Sequence, residues 1–148
     1  MDPVQQLLAI EEIKRLKARY IRLCDNKQWD LWADVFTEDC QFQHPNLGTI
    51  SGRISIVTQV SQSMQGMTMH HDAVLPDIEV VDERTARGTW SVANQGERCD
   101  GSGRQLIHTR GEYHERYRKE SDGRWRICRI GVVPLRRDSQ VTWTVGSD

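Results

Sequence analysis

The sequence has little of what ties a chain to a membrane, a metal or a nucleic acid. Its longest apolar stretch, around Gly131 to Leu135, falls far short of the roughly 20 residues that cross a bilayer as a helix. The opening MDPVQQLLAI carries neither the basic segment nor the apolar run of a secretion signal, so a cytoplasmic protein is expected. The four cysteines, Cys24, Cys40, Cys99 and Cys128, stand far apart without a C-x-x-C pair, which argues against a zinc ribbon and a dithiol redox motif. They read as reduced thiols. Twenty basic and 21 acidic side chains leave a net charge of −1, so no global field holds the chain on nucleic acid or an anionic membrane. The arginines between Arg104 and Arg137 are spread through strand-like sequence, where neighbours face opposite ways, and make no single basic stripe.

Cofactor signatures are equally thin. His108 and His114 share a strand face but lie about 20 Å apart at the usual strand rise, too far to chelate one ion. Gly101-Ser102-Gly103 lacks the Lys-Ser/Thr and helix start of a phosphate loop and reads as a hairpin turn. No serine or cysteine stands in a nucleophile elbow. The expectation is no metal and no cofactor.

What is present fits one domain over residues 1–148, a length that buries one continuous core. Asp2-Pro3 is a helix start, Asp capping free N–H groups and Pro fitting the first turn. Ile10, Ile13, Leu16, Tyr20 and Leu23 follow at helical spacing, predicting a long amphipathic helix to about Cys24. Trp29, Trp32, Ala33 and Phe36 predict a second, short helix ending near Thr37-Glu38-Asp39, so that two helices meet at Asp25. A short strand over Cys40 to His44, a turn at Pro45 to Gly48 and a third helix carrying Ile54, Val57, Val60 and Met64 come next. From Met67 the pattern turns to strands, at about 67–73, 77–82, 86–95, 104–119 and 124–135. The tail after Asp138 has no clear assignment. Helices first and then a mostly antiparallel meander imply an α+β cone, a curved sheet wrapped around helices with an apolar cavity between them.

Three positions draw attention as chemistry. His70 and His71 are neighbours in a strand, so only one faces the cavity, and the residues alone do not choose. Asp25 suits either a cap for the second helix or an acid at the end of the first. Tyr20 lies on the apolar face of helix one, as a core tyrosine would, with its hydroxyl near the helix end that carries Asp25.

The segments IEEIKRLKARYIRLCDNKQWDLWADVFTEDC, GMTMHHDAVLPDIEV and RGEYHERYRKESDGRWRI resemble the SnoaL-like branch of the nuclear transport factor 2-like (NTF2-like) superfamily, over roughly residues 8–135. Within it the chain looks most like the bile acid 7α-dehydratases and, more distantly, scytalone dehydratase and hexachlorocyclohexane dehydrochlorinase. The resemblance implies a cone-shaped α+β barrel and a lyase that eliminates without a cofactor from a small hydrophobic cyclic or polycyclic hydroxy-ketone or phenol. Isomerisation or cyclisation in the same cavity, and a non-catalytic binding module, are the alternatives. By position it implies Tyr20, Asp25 and His71 as catalytic residues, leaving His70 to the other face. It also points to His108 and Arg136 for substrate contact, the family arginine falling on Pro134 here, and Trp32 joins them as a candidate. A homo-oligomer is expected, because an open sheet leaves a face that the helices of one small domain do not cover, and the resemblance points to a trimer or a dimer.

Overall fold

The computed structural model describes residues 1–101 and 103–142, the side chains of residues 100 and 140–142 apart. Ser102 of the expected hairpin turn and the tail beyond Thr142 lie outside the described residues. Helix α1 (Pro3–Asp25) begins with a capping box: the Asp2 carboxylate accepts from the Gln5 N–H at 2.9 Å and the Gln5 amide oxygen accepts from the Asp2 N–H at 3.0 Å. Two orphan donors of the first turn are thereby satisfied. Its buried stripe is Ala9, Ile13, Leu16, Lys17, Tyr20 and Cys24, three- and four-residue steps that put one face on the sheet. The chain then turns through Lys27, at φ 56°, into the short helix α2 (Trp29–Ala33).

Six strands follow, β1 (Phe36–His44), β2 (Gly48–Ser51), β3 (Met67–Val80), β4 (Thr85–Asp100), β5 (Gly103–Lys119) and β6 (Trp125–Thr142), with helix α3 (Arg53–Ser63) between β2 and β3. They form one sheet in the order β2-β1-β6-β5-β4-β3, antiparallel except where β1 lies parallel to β6. The α+β architecture expected from the sequence is thus present, with the helices packed on the inner face of the sheet.

Two local expectations are corrected. Phe36 opens β1 and does not belong to the second helix, because it pairs with Ile127 of β6 and its carbonyl accepts from the Arg53 Nε–H at 2.9 Å. These long-range partners outweigh the helical spacing of Trp29, Trp32 and Phe36. The segment taken as a turn running into the third helix contains β2, a short hairpin partner of β1. In α3 the buried residues are Ile56 and Val60, whereas Ile54 is exposed.

Among the register shifts of the sheet, two decide which side chains face inward near the cavity. In β3 the runs at 67–73 and 77–82 are one bent strand, with one extra residue inserted between Val74 and Asp77. Leu75 sits there at φ 53°, an uncommon conformation for a branched side chain. In β6, Pro134 pairs with Gly111 but Arg136 pairs with Arg110, so Leu135 is the inserted residue. Because strand side chains alternate with period two, each insertion reverses which set faces the core.

Candidate active site

Asp25, at the last turn of α1, meets His71 of β3 through two contacts. Its Oδ2 accepts the His71 backbone N–H at 2.9 Å, and its Oδ1 pairs with the imidazole Nδ1. Both side chains are largely buried, 13% exposed for His71 and 15% for Asp25. The backbone contact fixes the carboxylate, and the carboxylate in turn orients the ring. A carboxylate against Nδ1 favours the tautomer of the neutral ring that carries its proton there, with the lone pair on Nε2. His70 points outward, highly exposed, and its Nε2 lies 3.2 Å from Asp72. The two-residue alternation of β3 makes the choice that the sequence left open.

His71 lines a cavity of about 520 Å³ between the helices and the sheet, together with Tyr20, Cys24, Phe42, His44, Met64, Met67, Met69, Asn94, Ile107, Tyr113, Val132 and other residues. That size holds a drug-sized ligand, and the wall is largely apolar with a few convergent polar groups. Tyr20 is 4% exposed. Burial, then the neighbouring Tyr113 and Cys24, push its hydroxyl well above the ordinary phenol range, so it stays a proton donor at neutral pH. Burial likewise raises the Cys24 thiol to about 12, leaving it too weak an acid to serve as a nucleophile. Cys24, Cys40 and Cys128 are in no disulfide.

The remaining sequence candidates lie elsewhere. Trp32 is fully buried and packs edge-on against Phe36 at 4.8 Å and tilted against Tyr20 at 5.4 Å; it supports the Tyr20 ring from behind and does not line the cavity. His108 is exposed because Gln105, Ile107 and Thr109 take the inward positions of β5, leaving even-numbered residues to the outer face. Arg136 also faces outward, paired with Asp138 at 2.9 Å. The bulge at Leu135 puts Arg137 on the cavity side instead.

The structure adds residues that the sequence reading missed. Asn94 of β4 sits directly opposite His71 in the ladder, lines the cavity, and its buried Oδ1 has no hydrogen-bond partner. A buried unpaired acceptor is costly in a dry site, and a ligand donor would relieve it. His44, from the end of β1, also faces the cavity; its Nδ1 accepts the Asn46 N–H at 3.1 Å. Burial first, then the charge of Arg137 and His71, hold His44 below the usual histidine range. Beneath the floor, the Lys17 ammonium pairs with Glu115 and lies 3.9 Å from the Tyr20 ring centre and 3.6 Å from that of Tyr113. Glu115 also accepts from the Tyr117 hydroxyl, which accepts the Trp90 Nε1–H at 2.9 Å. A lysine in the buried stripe of an amphipathic helix was the one available signal for this network.

Helices packed on a curved, mostly antiparallel sheet with a cavity between them define an α+β fold class. The match of residues 5–131 to the SnoaL-like domain places this chain within it: the protein belongs to the SnoaL-like family. Its structure is similar to that of a hexachlorocyclohexane dehydrochlorinase, LinA type 2, at TM-score 0.85 and 17% identity, covering 99% of this chain and 98% of that one. A protein assigned as a scytalone dehydratase from Novosphingobium aromaticivorans is similar at TM-score 0.78 and 20% identity, covering 89% and 87%. Rv3472 of Mycobacterium tuberculosis, a protein of unknown function solved as a D26N variant, is 28% identical at TM-score 0.75, covering 92% and 78%. At such identities the first two likenesses establish the fold.

Proposed function

We propose that the protein is a cofactor-independent lyase that eliminates water from a hydrophobic cyclic or polycyclic hydroxy-ketone or phenol. The observation that carries this reading is the imidazole of His71, held through Nδ1 by Asp25 with Nε2 left for the cavity. Nε2 takes a carbon-bound proton next to the substrate carbonyl, and the C–H electron pair moves into an enolate. As the enolate collapses, the C–C double bond forms, the neighbouring C–O bond breaks, and the departing hydroxide takes the proton back from the imidazolium as water. Asp25 stabilises the imidazolium in between. Tyr20, kept protonated by burial, donates to the enolate oxygen or to the leaving hydroxyl, and the open acceptor of Asn94 takes a hydrogen bond from a substrate hydroxyl. Dehydrochlorinase and dehydratase neighbours support the reaction class.

The test is turnover of a panel of hydroxy-ketones and hydroxylated polycyclic compounds by chelator-treated protein, followed by mass loss of water and the absorbance of the conjugated product. Activity that requires an added metal would overturn the mechanism. Tyr20→Phe is expected to retain more activity than the loss of His71, since a hydrogen-bond donor typically contributes less than the base that breaks the bond. Double-bond migration, in which His71 returns the proton to a different carbon, is the second reading. It uses the same base and gives a product of unchanged mass.

The reading extends to assembly. Val74, Leu75, Val133 and Leu135 are exposed, Leu75 by 78% and Leu135 by 70%, and apolar side chains of this size on an open sheet favour a homo-oligomer, dimer or trimer. Sedimentation at micromolar concentration is expected to give a multiple of 17.1 kDa; a monomer would refute it.

A further inference from the structure

We infer that the substrate carries an anionic group on its apolar body, held at the cavity mouth by Arg98 and Arg137. This rests on the cavity being a small-molecule site and names the kind of molecule it takes. The lining contains both arginines and no aspartate or glutamate. Neither guanidinium has an ion-pair or hydrogen-bond partner among the described residues, whereas Arg104 and Arg136, on the outward positions of the same sheet region, are paired with Glu97 and Asp138. Among the described residues the inward pair is thus without a counter-ion, whereas its outward neighbours are neutralised.

Backbone register places these charges relative to the base. His71, Asn94, Thr109 and Arg137 stand opposite one another in a single row across β3, β4, β5 and β6, and all four line the cavity. Three strand spacings put the row's ends about 14 Å apart. Arg98 stands opposite Gln105, on the other side of β5 from Arg137 and four residues along it from Thr109, and both arginines line the cavity. The row therefore offers a base at one end, an acceptor at Asn94, and a cation at the other end. A molecule with its reactive carbon at His71 and a carboxylate or sulfonate type of group toward Arg137 uses all three. Guanidinium binds such an anion through charge-assisted, forked hydrogen bonds. The insertion at Leu135 is what turns Arg137 inward; without it Arg136 would take that place.

Fluorescence titration with a matched pair of probes tests this: 8-anilinonaphthalene-1-sulfonate and its uncharged counterpart N-phenyl-1-naphthylamine. The wild-type protein is expected to bind the sulfonate at least ~10-fold more tightly, with an affinity that falls as salt rises. In Arg98→Gln/Arg137→Gln that preference is expected to vanish while the uncharged probe still binds. Both side chains are exposed, so the circular dichroism of the double variant should match the wild type. Equal wild-type affinity for the two probes, or equal loss of both in the variant, would overturn the inference. So would displacement of the sulfonate by inorganic phosphate beyond that produced by sodium chloride at equal ionic strength, which would mark a free-anion site. Neither probe undergoes elimination, so the outcome stands apart from whether the protein is a lyase.

Discussion

Replacing His71 by Ala is expected to lower turnover by at least ~10²-fold, the usual contribution of a general base, without unfolding the chain. The His71 backbone N–H that anchors Asp25 is unaffected by the change, so the anchoring contact remains. Asp25→Asn should cost a comparable factor for a different reason. An asparagine can offer its NH2 to Nδ1, which then becomes an acceptor and forces the proton onto Nε2, the nitrogen that has to accept the substrate's proton. The two variants therefore separate base from orienter: raising the pH should not rescue either, but external imidazole should restore part of the activity of His71→Ala alone. The measurement is steady-state turnover at saturating substrate, with kcat and KM taken apart. Full activity in His71→Ala would remove the base from the mechanism. A purely raised KM would mean that the pair binds substrate without doing chemistry.

The second large effect concerns stability. Lys17→Met is expected to destabilise the protein by about 3–5 kcal/mol, because it leaves the buried Glu115 carboxylate without its counter-charge. Lys17 and Glu115 are 1% and 3% exposed. Burial drives the lysine to release its proton, and Glu115, by charge and by hydrogen bond, opposes that. The substitution also removes the cation from the faces of Tyr20 and Tyr113, each such contact worth about 0.5–2 kcal/mol. For a chain of this size the melting temperature should drop by roughly 10 °C. Lys17→Met/Glu115→Gln is expected to recover part of the loss, since a neutral amide needs no counter-ion and can still accept from the Tyr117 hydroxyl. A double variant no more stable than the single one would show that the pair is not what Glu115 requires. The two tyrosine rings packed on Lys17 line the cavity, so the single variant should also loosen the site before it unfolds it.

Much of the architecture is legible in local sequence. Asp2-Pro3 and the stripe through Ile13, Leu16 and Tyr20 specify α1 and its capping box, because a helix repeats over residues that are neighbours in the chain. Asp25 at the close of that helix and a histidine pair in the first long strand are visible in the same way. Phe36 was misread because its partner, Ile127, lies far along the chain. Trp32 looked like a candidate lining residue, yet Tyr20 and Phe36 enclose it.

The sequence by itself determined the class of fold, helices followed by strands, and the residue types available for acid and base chemistry, since propensity, capping and periodicity are local properties of the chain. Only the tertiary structure decided which side chains meet. Asp25 and His71 are 46 residues apart, Lys17 and Glu115 are 98 apart, and no local pattern pairs them. It also decided which face each strand residue takes. One residue inserted at Leu135 exchanges Arg136 for Arg137 at the cavity, and the bulge in β3 joins two apparent strands into one. The physical reason is that a strand's inward set depends on its register with a neighbouring strand, and a bulge is fixed by that pairing.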